Sequence, residues 1–434
     1  MRSTLKLRRL AILMVSLLIV IYAGDTLQSE VGDKTYANNF PAVICPVVGS
    51  GITTQISLNS STKMVRSLYK KRVTLSKAKT TRLLTTNNSV LVDGQGINSL
   101  AWISKTGIWA GGVTCLSPQS NQYLVGASAD VASKSKLVLA NSGLSASTVE
   151  VTIFSENSSF KKQISVPSNQ TISIPVVTLL PGAKTLALQI TPRAGRVAAY
   201  LVDERGKGLT ALGGDVINSQ AELAKIINIP AISHTLTLQK GHVLRILNPN
   251  AAKTNISVEV ISSNGRYVPV GLDYRSISAD RAVDLPFDFD DKSSVFGLKI
   301  TSDLPIAAAV YSRVKSGNKT DFVWSTPVDP GQRGSWSVTG LDPLLVATGG
   351  EIQISLRIYL PKRTKVEKNL SGNDLLTYRI PTGALAIEIL KIASDNSAAL
   401  IVNSQSGTGY LPLLNGSVLT RSTVPTANIG VLNP

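Results

Sequence analysis

A stretch of about fifteen residues recurs along this chain and limits what it can fold into. Each copy is an apolar run with period two, a short polar centre, then a run of small and apolar residues. Residues 186–200 (LALQITPRAGRVAAY) and 296–311 (FGLKITSDLPIAAAVY) are the clearest copies. Residues 387–402 (IEILKIASDNSAALIV) are a weaker copy, and 100–113 (LAWISKTGIWAGGV) a looser fourth. Read locally, each is a β-hairpin, and the rest of a two-sheet sandwich is expected to be built on it. The second arm is apolar at successive positions and rich in Ala, which lets a facing sheet approach closely.

The longer pattern repeats as well. Residues 137–141 align with 244–248, and Val149, Val151 and Ile153 align with Ile256, Val258 and Val260. Phe160 aligns with Tyr267, all at an offset of about 107. Ile174-Pro175 matches Leu285-Pro286 after a small length change. Weaker matches link 69–73 to 160–164 and 284–286 to 379–381. Within each unit apolar and polar residues alternate, which puts one set of side chains on a core face and the other in water. Turn residues such as Asn157-Ser158-Ser159 and Ser263-Asn264-Gly265 separate the runs. The expectation is an all-β chain of tandem immunoglobulin-like or fibronectin-like β-sandwich domains. Its units span 40–128, 129–235, 236–330 and 331–434. One helix is expected, over 219–228.

The amino terminus carries the strongest targeting signal. Arg2, Lys6, Arg8 and Arg9 precede an apolar run over 10–23. A run of about 14 residues suits a signal peptide better than a membrane span of about 20. Residues 1–24 therefore read as a signal peptide or signal anchor, with cleavage after Ala23 and an uncleaved anchor both open. Residues 25–39 read as a polar tether. The chain is expected outside the cytoplasm, secreted or held at the cell membrane.

Cys45 and Cys115 are the only cysteines and bracket the first unit. In an oxidising compartment that placement reads as a disulfide, with two buried thiols as the alternative. The formal charge is +17, and between 34 and 128 ten Lys/Arg stand against Asp93 alone. The run Lys63, Arg66, Lys70, Lys71, Arg72, Lys77, Lys79 and Arg82 is the clearest interaction signal. A basic face seeks a polyanion or an anionic lipid surface. For an exported chain, an acidic envelope polymer, lipid headgroups and envelope proteins fit as partners, and nucleic acid does not. A solvated surface is the competing reading.

Motifs of catalysis are absent from the sequence: no HExxH, no GxSxG and no P-loop. A lone triad using His234 or His242 stays open, and His242, which opens an expected strand, reads as a structural or edge residue. Asp284, Asp288, Asp290 and Asp291 could together supply oxygen ligands to calcium, though without the glycine and bidentate glutamate of an EF-hand loop. A solvated loop is the plainer reading. Trp102 and Trp109 read as core residues, and Trp324 and Trp336 as residues packing a junction between units. No cofactor is expected.

The export segment, the paired cysteines, the ITSDLPIAAAVY stretch and the LxxxNP and NSG strand openings resemble a group of secreted actinobacterial proteins catalogued only as a domain of unknown function. The resemblance implies an envelope location and supplies no catalytic residues. The expected function is an exported, non-catalytic binding or scaffolding role. A glycan-binding accessory protein of a wall or polysaccharide enzyme and a hydrolase with an unrecognised site are the alternatives.

Overall fold

The structure, a computed structural model, describes residues 14–16, 42–69, 74–93, 96–208, 210–238, 241–316 and 319–417. Two compact units are present, one of Ala42–Val418 and one of Met1–Pro41 with Leu419–Pro434. Of the second, only the helical turn 14–16 is described. The expected export segment and tether otherwise lie outside the described residues. Among the described residues no helix is long and apolar enough to cross a membrane.

Between 42 and 417 the regular structure of the described chain is nearly all strand, arranged in several sheets. Its strands fall into four consecutive blocks. The first comprises β1 (Ala42–Cys45), β2 (Thr53–Ser57), β3 (Met64–Ser67), β4 (Ser76–Lys77), β5 (Arg82–Thr85), β6 (Val90–Asp93), β7 (Asn98–Lys105) and β8 (Trp109–Thr114). Two sheets result, in the orders β1-β6-β3-β4 and β5-β2-β7-β8.

The second block comprises β9 (Gln122–Val125), β10 (Lys136–Asn141), β11 (Ser147–Ser155), β12 (Ser159–Val166), β13 (Gln170–Pro175), β14 (Leu186–Ala194), β15 (Ala198–Lys207) and β16 (Thr210–Asn218). Its sheets run β9-β14-β11-β12 and β13-β10-β15-β16, the same diagram as the first block. The third block comprises β17 (Ala224–Ser233), β18 (His242–Asn248), β19 (Thr254–Ser262), β20 (Gly265–Tyr267), β21 (Arg275–Ile277), β22 (Arg281–Phe287), β23 (Val295–Ser316) and β24 (Lys319–Ser325). Here β23 serves both sheets. Its first half pairs β17 and β19, and its second half pairs β18 and β24.

The fourth block comprises β25 (Gly334–Ser337), β26 (Leu344–Tyr359), β27 (Lys365–Arg379), β28 (Ala386–Ile392), β29 (Ser397–Ser404) and β30 (Gly407–Pro412). It repeats the diagram with two fusions. β26 pairs β29 along its first half and β28 along its second, while β27 follows β26 throughout.

Two corrections follow. The recurring stretch is not a hairpin. In 186–200 the arms β14 and β15 lie in different sheets, and in 296–311 they are one uninterrupted strand. In 387–402 they pair different halves of β26. The polar centre marks a passage between pairing partners rather than a reversal. Only 100–113 closes as a hairpin, Lys105 opposite Trp109, and it corresponds to the next strand pair of the diagram. The second correction concerns the helix expected over 219–228: residues from Ala224 form β17 against β23. The β-branched Ile226, Ile227, Ile229 and Ile232 suit a strand, and pairing with β23 overrides helix propensity.

The Ala-rich second arm owes its composition to burial on both faces. In β15, Ala199 and Leu201 enter the core of their own block, while Ala198, Tyr200 and Val202 enter the core of the first block. In β23, Ala308 and Val310 face the third block's core, and Ala307 and Ala309 the second's. In β29, Ala398 and Leu400 face inward, and Ala399 and Ile401 meet the third block. Leu100 on β7 belongs to the fourth block's core. A strand covered on both sides reads as continuously apolar.

Block one therefore abuts both block two and block four. The contact with block four includes strand pairing: β7 and β25 run parallel, with Trp336 opposite Asn98. Ser57 Oγ donates to Thr339 O, and Thr339 Oγ1 donates to Leu58 O.

Candidate functional site

The expected site residues separate into groups with different uses. Cys45 and Cys115 form a disulfide, both fully buried. It joins β1 to the residue just past β8, beside the bridge between Ile44 and Leu116. Lys70, Lys71 and Arg72 lie outside the described residues. Lys63 and Arg66 are partly buried: Lys63 Nζ donates to Ile97 O at 3.5 Å and Arg66 Nη2 to Ser142 O at 2.9 Å. Burial lowers the pKa of both, with Asp93 opposing it at Lys63. Arg82 Nη2 donates to Gln55 Oε1 at 2.6 Å. Lys77 and Lys79 are exposed.

The four acids are put to different uses. Asp284 is paired with Arg245 at 2.6 Å and accepts from Thr185 Oγ1, while Asp291 accepts from Asn264 and Ser293. Asp288 and Asp290 are exposed. Among the described residues, no three His, Cys, Asp or Glu side chains are placed to hold a metal ion. Trp109, Trp324 and Trp336 are buried in three different cores, and Trp102 packs against the fourth block's core.

The last strand of each block, β8, β16, β24 and β30, meets the next around one centre. Glycine makes the approach possible. A Cβ at Gly214 would lie 2.7 Å from the Trp109 ring, and one at Gly409 2.5 Å from the Trp102 ring. Side chains replace the missing strand ladder. Asp215 Oδ2 on β16 accepts from the Trp324 N–H at 2.7 Å, and Asp321 Oδ1 on β24 accepts from the Gly214 N–H at 3.0 Å. Thr114 N–H donates to Asn218 Oδ1 at 3.0 Å, and Asn218 Nδ2 donates back to Thr114 O at 2.8 Å. Thr114 Oγ1 donates to Pro412 O on β30.

Both carboxyls are costly to ionise there. Burial raises Asp215 well above the usual carboxylate range, against the N–H groups of Trp324 and Val216. Burial pushes Asp321 up to about 7, against the N–H groups of Phe322, Gly214 and Ala110. Beside them Asp203 accepts from Trp324 Nε1 at 3.0 Å and pairs with Arg205, whose guanidinium lies 4.6 Å from the Tyr311 ring centre. Arg245, with its side chain 3% exposed, also donates to the carbonyls of Ala127 and Leu186. These residues were not singled out from sequence. Their signal was an acidic residue inside or directly after an otherwise apolar strand: Asp203 after VAAYLV, Asp215 in GGDVIN, Asp321 in TDFVW.

The two histidines touch. His234 Nδ1 lies 3.0 Å from His242 Nε2, and His242 Nδ1 lies 2.9 Å from Ser312 Oγ. Phe287, Phe289 and Phe296 surround them. Burial lowers His242 to about 3, helped by His234, so His242 is neutral at pH 7, and burial lowers His234 as well. His234 lies in the wall of a cleft of about 760 Å³ bordered by β23, β24, β29 and β30. His242 lies in the wall of another, about 1090 Å³, that also contains Tyr267, Asp288, Asp290 and Asp291. A third, about 480 Å³, contains Glu222 and Asp329.

Fold and centre together define the class: an all-β protein of several sheets, with one strand diagram written four times and a disulfide in the first copy. The model of a family of unknown function (DUF5719) matches residues 104–366, and the chain belongs to that family. No curated protein matches it. The chain is similar to the protein in the crystal structure of Thermotoga maritima 1070, at 11% identity and a TM-score of 0.22, over 24% of this chain and 98% of that one.

Proposed function

We propose that this chain is an exported binding or scaffolding protein of the cell envelope, non-catalytic, built from tandem immunoglobulin-like β-sandwich units. The observation that carries the reading is the central junction. Asp203, Asp215, Asp321, Arg205 and Arg245 are all engaged in internal hydrogen bonds, most of them between blocks. Groups held that way serve rigidity, and a rigid body made of blocks presents its outer edges and loops at set distances for partners.

Attachment to an acidic envelope polymer or anionic lipid surface is supported by the charge excess of the first block and by the exposure of Lys77 and Lys79. Export is supported by the basic head and apolar run of residues 1–24. A buried disulfide fits an oxidising compartment. Fractionation of cells making the full chain tests the reading. The chain is expected with the envelope, partly released by rising salt, and more readily released as Lys77→Glu/Lys79→Glu. Recovery in the cytosol, or retention insensitive to salt and to both substitutions, contradicts it.

A further inference from the structure

We infer that the cleft walled by His234, Ser294, Lys315, Lys319, Asn403 and Gln405 binds a small hydroxyl-rich oxyanion, either a uronate or a sugar phosphate. This narrows the binding function proposed above to one cleft and one chemistry. It does not depend on where the protein resides.

The size is right. About 760 Å³ lies within the roughly 300–1,000 Å³ of small-molecule sites. The charge is one-sided: among the described residues, the lining contains Lys315 and Lys319 and no Asp or Glu. A recess with one sign of charge concentrates ions of the other. Lys315 is exposed on β23. Lys319 opens β24 and gives one hydrogen to Gly107 O at 2.6 Å, which leaves two of its three donors for a ligand.

The rest of the wall suits hydroxyl groups. Asn403, near the end of β29, accepts from Thr408 Oγ1 and keeps its amide N–H groups to donate, Gln405 in the following turn offers an amide that donates and accepts, and Ser294 offers a hydroxyl. Val314 and Ile401 give an apolar surface for a sugar ring. His234 adds an unmade hydrogen bond. The residue is 6% exposed, its Nδ1 is taken by His242, and its buried Nε2 has no hydrogen-bond partner. That nitrogen is closed off from the cleft, so a ligand hydroxyl would reach it only with a small shift of the wall. Asp290 and Asp291 act on His234 electrostatically, and neither lines the cleft.

Calorimetric titration of the purified full chain at low salt tests the inference, with D-glucuronate, glucose 6-phosphate and glucose as probes. One or both anions should bind, with glucose and the Lys315→Glu variant each at least about tenfold weaker. Lys315 is exposed, so the variant should keep the wild-type melting temperature. Lys253→Glu, exposed and outside the cleft, should bind as wild type does. Binding of glucuronate alone assigns the carboxylate, and binding of glucose 6-phosphate alone the phosphate. No binding of either anion, equal binding of glucose, or full affinity in Lys315→Glu overturns the inference. The envelope reading is tested separately by fractionation, so either can fail without the other.

Discussion

Two kinds of buried titratable side chain pull stability in opposite directions with pH. Asp321 has its folded pKa raised from 3.8 to about 7. The folded state therefore holds a proton that the unfolded state releases between those values. The stabilisation is complete below about 3.8 and is lost as pH rises through about 7. His242 has its folded pKa lowered from 6.5 to about 3, so its contribution is complete above 6.5 and is lost as pH falls toward 3. The Asp321→Asn variant keeps an oxygen for the N–H groups of Phe322 and Gly214 and removes the titration. Its stability relative to wild type should rise from pH 4.5 to pH 8, by up to roughly 4 kcal/mol over the full window. Urea unfolding at a series of pH values measures this. A difference independent of pH would show that Asp321 ionises as freely in the fold as in water.

At the scale of the strand, the central glycines are positions where backbone must touch side chain. Gly214→Ala would drive a methyl into the Trp109 ring, and overpacking of that kind costs about 1–3 kcal/mol. Chemical denaturation should show the loss. An unchanged midpoint would mean that β8 and β16 can move apart freely. Much of the strand content was legible beforehand. The alternation of Val149, Val151 and Ile153 does mark β11, and the matched segments 137–141 and 244–248 fall on the corresponding strands β10 and β18. What periodicity could not distinguish was a hairpin from a strand that changes sheet. The local pattern of 296–311 is the same for both, and the choice lies with distant partners such as β18 and β19. The segment after 219 misled for the same reason, since its strand state depends on β23. The disulfide was legible because there were only two cysteines to pair. The cleft around His234 was not, because its lining comes from five segments far apart in the chain.

At the scale of the molecule, the cores of the first, second and fourth blocks each include residues of a neighbouring block. The second block's core contains Ala307, Ala309, Phe322 and Trp324 of the third, and the first block's core contains Tyr200 and Val202 of the second. Tandem modules joined by linkers unfold one by one, whereas modules that bury each other's sheets lose their cores together. Differential scanning calorimetry of the full chain should therefore show one principal transition, with van't Hoff and calorimetric enthalpies in agreement. Separate, well-resolved transitions would mean that the shared cores contribute little.

The parallel pairing of Asn98 and Ser99 with Trp336 and Ser337 also bears on how the molecule is made. Synthesis is vectorial, so the early strand β7 emerges long before the late strand β25 that lies beside it. Until then Leu100 has no finished core to enter and part of a sheet edge stays open. The beginning of the polypeptide must wait for its end, and a nascent chain stalled or clipped before residue 334 would leave that edge available to strangers.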